Sequence, residues 1–215
     1  MKYDAVIFDM DGTILNTLED LAGTLNYSLR CYGFPERTLP EVRSFVGNGI
    51  RMLVRRGCPA GTPEEVQEKV YEAYQPYYKE HCADKTRPYD GIPELIASLR
   101  KAGIKTAVVS NKGDIGVQDL CRCFFDGLFD TAVGERTGIR RKPAPDSVNE
   151  VLSILRIPKE RAVYIGDSEV DIETAANAGI DCILVEWGFR TREALEAAGA
   201  GRIARDVREL EGFLL

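Results

Sequence analysis

Five short, largely apolar runs set between segments of helical period constrain this chain more than any other feature. Residues 4–9, 106–109, 129–133, 162–165 and 182–185 read as strands. Most lack the polar alternation of a sheet that faces water. Between them the apolar spacing changes to three and four, and 92–102, 115–121, 147–155, 172–178 and 191–198 read as helices. Ile203 adds an edge strand and 207–210 a short helix. Strand–helix alternation of this kind folds as a parallel sheet covered by helices on both faces.

The alternation is interrupted once. After the first strand, some seventy residues carry only helical signals. Leu18, Leu21, Ala22, Leu25 and Leu29 mark a helix over 17–32, with Thr17 as its cap. Val42, Phe45 and Val46 mark a short helix broken at Gly47–Asn48–Gly49, and Ile50, Leu53 and Val54 another ending at Gly57. Thr62–Pro63–Glu64–Glu65 reads as a cap, a proline at the first helical position and a first-turn acid pair. That helix carries Val66, Val70 and Tyr74, meets Pro76 and fades near Ala83. The expected organisation is an α/β core of residues 1–15 and 86–215, with a helical domain, 16–85, inserted after the first strand.

A chain of 215 residues is long enough for a substantial core. Its net charge of -6 argues against general affinity for nucleic acid or an anionic membrane. Cys31, Cys58, Cys82, Cys121, Cys123 and Cys182 form no Cys-x-x-Cys pair, and His81 is the single histidine. They read as free thiols of a reducing compartment, several of them buried. The opening residues Met1–Asp4 lack the pattern of a signal peptide, and the apolar run after them is too short to span a membrane. The cytoplasm is the expected location. His81 is expected on the surface of the insert, and Tyr71, Tyr74, Tyr77 and Tyr78 in its packing.

Ligands of open α/β sheets bind beyond the carboxyl ends of the strands, so what each strand ends on matters. The first ends on Asp9–Met10–Asp11–Gly12–Thr13. Alternation would point Asp9 and Asp11 the same way, where two like charges need a cation or a shared proton. The second ends on Ser110–Asn111–Lys112, and the fourth on Gly166–Asp167–Ser168, with Asp171 one helical turn on. A basic loop, 140–145, contains Lys142. These residue types suit phosphoryl transfer. A carboxylate can attack phosphorus, a second can exchange a proton with the leaving oxygen, and a lysine and a hydroxyl can hold the phosphoryl oxygens. Magnesium prefers one or two carboxylates with phosphate and water, which Asp9 and Asp167 could supply.

With these motifs in place, the chain resembles the haloacid dehalogenase-like superfamily in its phosphatase branch. Asp9–Thr13 match the first motif, Ser110 the second, Lys142 the third and Gly166–Asp171 the fourth. The resemblance implies a Rossmann-like core with the first strand central and a helical cap. It implies Asp9 as nucleophile and Asp11 as general acid/base. Thr13, Ser110 and Asn111 would bind the phosphoryl group, and Lys142 would neutralise it and keep Asp9 ionised beside the metal. Mg²⁺ would rest on Asp9, Asp167 and the main-chain carbonyl of Asp11, with Ser168 and Asp171 behind it. Residues 45–51, Trp187–Gly188–Phe189 and Gly199–Ala200 resemble phosphoglycolate phosphatases in particular. Asn48 and Arg51 are candidates to reach the substrate from the insert, although a plain helix break accounts for the same residues.

The expected partner is a small phosphorylated metabolite. A pyrophosphatase of the same superfamily is an alternative. So is a phosphosugar mutase; such mutases resemble this chain but usually carry a histidine soon after the first motif, and residues 16–20 have none. From another class, a phospho-accepting signalling receiver would be shorter and would lack the insert. Ser110–Asn111 could equally cap the following helix, and Asp171 could be a surface acid.

Overall fold

A computed structural model describes residues 2–215. The chain divides into two compact units, one of residues 1–15 and 88–215 and the other of residues 16–87. The first is built on a six-stranded sheet. In chain order its strands are β1 (Ala5–Phe8), β4 (Lys105–Gly113), β5 (Thr131–Glu135), β6 (Ala162–Gly166), β7 (Asp181–Val185) and β8 (Ile203–Ala204). They lie side by side in the order β5-β4-β1-β6-β7-β8. Every pairing is parallel. β1 sits between β4 and β6, with Ile7 opposite both Ala107 and Tyr164. Its four residues are completely buried, which explains why the run is apolar without alternation. Two short strands, β2 (Leu15–Asn16) and β3 (Arg87–Pro88), pair apart from this sheet.

The helices of this unit are α5 (Ile92–Lys101), α6 (Asp114–Phe124), α7 (Asp146–Leu155), α8 (Glu169–Ala178), α9 (Arg192–Ala197) and α10 (Val207–Leu214). Val148, Val151 and Leu152 of α7 and Ala175 and Ala178 of α8 bury one sheet face with Ala5, Ile7, Ala107, Val109 and Tyr164. The odd-numbered residues of β1 therefore face α7 and α8, as strand alternation requires. α5 packs against β4 and α10. Several boundaries differ from the sequence reading, α6, α8 and α10 being longer by up to four residues at one end, and two of the differences lie in the sheet. β4 does not end at Val109 but continues to Gly113, with a register shift against β5. The reading of Ser110–Asn111 as helix caps is therefore corrected, since Gly113 precedes α6. β5 begins at Thr131, because Phe129 turns into an aromatic group with Phe8 and Phe125.

The helical unit holds α1 (Leu18–Cys31), α2 (Leu39–Phe45), α3 (Ile50–Gly57) and α4 (Glu64–His81). Leu21, Leu25 and Leu29 of α1 are buried with Val42, Leu53, Val54, Val70 and Tyr74. Asp20 is buried too, its carboxylate accepting from the amides of Lys85 and Thr86 at 2.8–3.0 Å. Thr17 stands at the start of α1 but makes no side-chain cap bond. Thr62 likewise does not cap α4, because its hydroxyl donates back to Pro59 O at 2.7 Å and Pro63 takes the cap position. Thr38, unremarked in the sequence, forms a complete capping box with Glu41. α4 runs through Pro76 to His81, its last turns held by buried Tyr74 and Tyr78 and by Tyr77 stacked on Tyr27 at 3.8 Å. His81 is half-buried rather than simply exposed, bonded to Asp84 and lying 4.2 Å from the Tyr77 ring. All six cysteines are free thiols, and Cys58 is the buried one. Among the described residues no helix is long and apolar enough to cross a membrane.

Candidate active site

The site grows from the carboxyl end of β1. Asp9 is already outside the strand, its amide donating to Ile165 O at 2.8 Å. The chain then folds back, and the amides of Thr13, Ile14 and Leu15 all donate to Met10 O. Gly12 makes this turn possible with a φ of +87°. A turn, not strand alternation, therefore orients Asp9 and Asp11, which corrects the sequence reading. A side chain at Gly12 would also collide with Asp167, its Cβ lying 2.2 Å from Oδ2.

Lys142 stands at the centre, 4% exposed. Asn111 holds its main chain from β4, with Nδ2 donating to Lys142 O at 3.1 Å and Oδ1 accepting from Lys142 N at 2.8 Å. Its ammonium lies 2.8 Å from Asp9 Oδ1 and 2.8 Å from Asp171 Oδ1. It also donates to the Tyr164 hydroxyl at 2.9 Å, which donates in turn to Val109 O. Asp171 is fully buried, not a surface acid. Its Oδ2 accepts from the amides of Asp167 and Ser168 and from Ser168 Oγ, a capping box at the start of α8. One carboxylate thus fixes the loop after β6 and anchors Lys142.

Asp167 completes the acidic group. Its Oδ2 accepts from Phe189 N at 2.6 Å. Gly188 lets that loop approach, since a Cβ there would lie 2.3 Å from Asp167 Cβ and 2.7 Å from Gly12 O. Trp187, half-buried, donates from Nε1 to Thr13 O at 3.1 Å. Asp9, Asp167 and Asp171 each offer an oxygen within 4.8 Å of the others.

Burial dominates the electrostatics. It pushes the Asp9 carboxyl up to about 7 against the pull of Lys142, with the Asp171 charge adding to the rise. Burial also raises Asp167 well above the carboxylate range, helped by Asp171 and Asp9 and opposed by Phe189 N and Arg190. Lys142 is held well above its ordinary value because Asp171 and Asp9 outweigh its burial. Lys142 alone therefore does not bring Asp9 back to the ordinary carboxylate range. Further positive charge would. The oxygen-only donor set of Asp9 and Asp167, with Lys142 already committed to Asp9 and Asp171, fits a hard divalent cation.

Asp11 lies beside Lys112, whose ammonium is 3.1 Å from Oδ1 with a side chain 2% exposed. The contact is one of charge, for that buried oxygen has no hydrogen-bond partner. Thr13 Oγ1 is another buried atom without a partner. Ser110 Oγ accepts from Lys112 N at 3.2 Å. Asn48 and Arg51 belong to the helical unit and are engaged there. Asn48 Oδ1 accepts from Arg56 at 2.8 Å, and Arg51 pairs with Glu68 and lies 4.0 Å over the Tyr71 ring. Arg140 is exposed and pairs with Asp146. Tyr164, Lys112 as a partner of Asp11, and the Phe189 amide went unread in the sequence. Tyr164 inside a buried strand was the one available signal, since a buried hydroxyl needs a partner.

Comparison with known proteins agrees with this geometry. The haloacid dehalogenase-like hydrolase family model matches residues 6–185. The chain is similar to the phosphoglycolate phosphatase of Aquifex aeolicus (strain VF5), at 32% identity over 86% of this chain and 85% of the relative. It is similar to the N-acetylmuramic acid 6-phosphate phosphatase of Pseudomonas aeruginosa, at 34% identity over 98% and 94%. A crystal structure from Lactobacillus delbrueckii subsp. bulgaricus, assigned as a phosphoglycolate phosphatase, superposes with a TM-score of 0.96 at 41% identity, covering 100% of this chain and 99% of that one. The chain belongs to the haloacid dehalogenase-like hydrolases and is an enzyme of their phosphoglycolate phosphatase-like group.

Proposed function

We propose that the enzyme is a Mg²⁺-dependent phosphatase of small phosphomonoesters of the phosphoglycolate kind, working through an aspartyl-phosphate on Asp9. The observation that carries this reading is the buried group in which Lys142 bridges Asp9 and Asp171 at 2.8 Å beside Asp167. Asp9 attacks phosphorus, the ester P–O bond breaks, and the leaving oxygen takes a proton from Asp11. Asp11 then removes a proton from the water that attacks the acyl phosphate, releasing inorganic phosphate and restoring Asp9. Thr13 Oγ1 and Ser110 Oγ donate to the phosphoryl oxygens. Lys142, held by Asn111, Asp171 and Tyr164, balances charge beside the nucleophile. Asp9, Asp167 and the Asp11 carbonyl would hold Mg²⁺, which when bound neutralises phosphoryl charge. The helical unit is assigned the role of a cap that sorts substrates, and six free thiols support a reducing compartment, the cytoplasm, as its location.

The test is a screen of small phosphorylated metabolites with Mg²⁺, phosphoglycolate and pyrophosphate included, run on the wild type and on Asp9→Asn. Phosphate release by the wild type and its loss in the folded variant are expected, with a hydroxylamine-sensitive phosphoenzyme formed only by the wild type. Full turnover by Asp9→Asn would refute the mechanism.

A further inference from the structure

Thr13 Oγ1 is buried without a partner, so no side-chain bond places that hydroxyl and the main chain must. The Thr13 amide donates to Met10 O at 3.3 Å. Its carbonyl accepts from Trp187 Nε1 at 3.1 Å, a bond between residues 174 apart in the chain. Trp187 is the single tryptophan, and an indole N–H, which can only donate, needs an acceptor once it leaves water. Tyr89 lies against the indole with ring centroids 6.4 Å apart, and its own amide donates to Ile14 O at 3.2 Å. The indole is thus tied to the turn that presents Thr13 as firmly as to its own loop.

The same loop holds Asp167. The Phe189 amide, two residues on, donates to Asp167 Oδ2 at 2.6 Å. Between the two, Gly188 passes so close that a Cβ there would lie 2.3 Å from Asp167 Cβ and 2.7 Å from Gly12 O. Arg190 pins the far end, its guanidinium bonded to both oxygens of Glu169 in the first turn of α8 at 2.9 and 3.1 Å. At the near end β7 runs to Val185. Three consecutive residues, anchored on either side, therefore touch both the turn that presents Thr13 and the Asp167 carboxylate.

We propose that Trp187 is a positioning residue that, through the 187–189 loop, couples Thr13 to Asp167, so that a divalent cation and a phosphoryl group each strengthen the binding of the other. This rests on the phosphatase reading above and deepens it. Asp167 drawn onto a cation carries the Phe189 amide with it, and Gly188, packed on two sides, leaves the loop no slack to absorb the movement. Trp187 passes that constraint to Thr13 O. Coupling between two binding events is reciprocal by thermodynamic necessity. Trp187 exchanges no proton or electron pair; it acts only through Thr13.

The test is isothermal titration calorimetry with Mg²⁺ and with inorganic phosphate, each titrated alone and then with the other present. The ratio of affinities with and without the second ligand is the coupling factor, the same whichever ligand is titrated. Two variants are compared with the wild type. One is Trp187→Phe. The other replaces Trp187 by benzothienylalanine, which keeps the shape of the indole and lacks only the N–H, so it reads the hydrogen bond even where Trp187→Phe fails to fold. The coupling factor is expected to fall by about fivefold in both, the effect of one lost hydrogen bond. Direct attraction between bound phosphate and Mg²⁺ persists in every variant, so coupling falls without vanishing. A residue that merely supported the fold would weaken phosphate by the same ratio with and without Mg²⁺, so an unchanged coupling factor in the benzothienylalanine variant overturns the proposal. A wild type in which neither ligand alters the affinity of the other overturns it as well, and needs no variant. Failure of the wild type to hydrolyse any phosphomonoester with Mg²⁺ overturns the phosphatase reading itself, and the proposal with it.

Discussion

Gly188→Ala tests how finely Asp167 must be placed. The added Cβ would lie 2.3 Å from Asp167 Cβ and 2.6 Å from Oδ2, with Gly12 O at 2.7 Å on another side. Ordinary contact begins near 3.4 Å, so Asp167 or the 187–189 loop must move by about 1 Å. Gly12 cannot give way freely, because its own turn is closed by hydrogen bonds to Leu15 and Met10. The Asp167 Oδ2 to Phe189 N bond is therefore strained or broken. Overpacking of this kind costs about 1–3 kcal/mol, which for a chain of this size is about 2–4 °C in Tm per kcal/mol. A 1 Å displacement of a positioned group costs on the order of 100-fold in rate. The assay is kcat/KM for the best substrate across a Mg²⁺ titration, with thermal unfolding in parallel and Gly201→Ala as control, a site where a Cβ meets nothing within 4 Å. The expected result is a rate loss of about two orders of magnitude, a raised Mg²⁺ requirement and a modest fall in Tm. Wild-type kinetics in Gly188→Ala would refute the reasoning that links this glycine to Asp167.

Three further outcomes follow. Tyr164→Phe removes the hydroxyl between Lys142 and Val109 O; stability should fall by about 1–3 kcal/mol and kcat should drop, as calorimetry and steady-state kinetics would show. Gly212 lies inside α10 where a Cβ meets nothing within 4 Å, so Gly212→Ala should raise stability by about 0.5–1 kcal/mol in urea unfolding. Burial raises the Asp130 carboxyl, but the Thr106 amide, Lys105 and Arg100 pull it further, to below its ordinary 3.8. Its stabilising effect is therefore complete above that value and lost as pH falls through the lower native one. The Tm gap between wild type and Asp130→Asn should be constant from neutral pH down to about 5 and close in stronger acid.

How much of this was legible depended on the range of the interactions. β1 and β6 were legible because buried parallel strands show as unbroken apolar runs, and their ends directed attention to Asp9, Asp167 and Ser168. α8 was legible to its last residue, since Gly179 supplies the left-handed stop with a φ of +73°. The extension of β4 was not, because Ser110, Asn111 and Lys112 are polar residues in a buried strand, satisfied by partners as distant as Lys142 and Asp11. Tyr164 meets Lys142 only through register in the sheet. Thr17 and Thr62 looked like caps by composition, but a cap is a geometry, and neither hydroxyl reaches the first-turn amides. The capping box of Thr38 has the required residues three apart, but it lies in the stretch from Gly33 to Pro40 that reads as a loop.

The central place of β1 also bears on how the molecule is made. Its two neighbours pair through residues 105–108 and 162–165, far along the chain. At a synthesis rate of about 5–20 residues per second, β1 waits on the order of ten seconds for its second partner. The whole of 16–87 leaves the ribosome in that interval. An apolar tetrapeptide with both edges open is a template for wrong pairing, so a newborn chain is most exposed at its first strand. The acids that follow, Asp9 and Asp11, carry like charges that oppose stacking of identical copies. The residues proposed for chemistry in the finished enzyme thereby guard the strand that presents them while it is still alone.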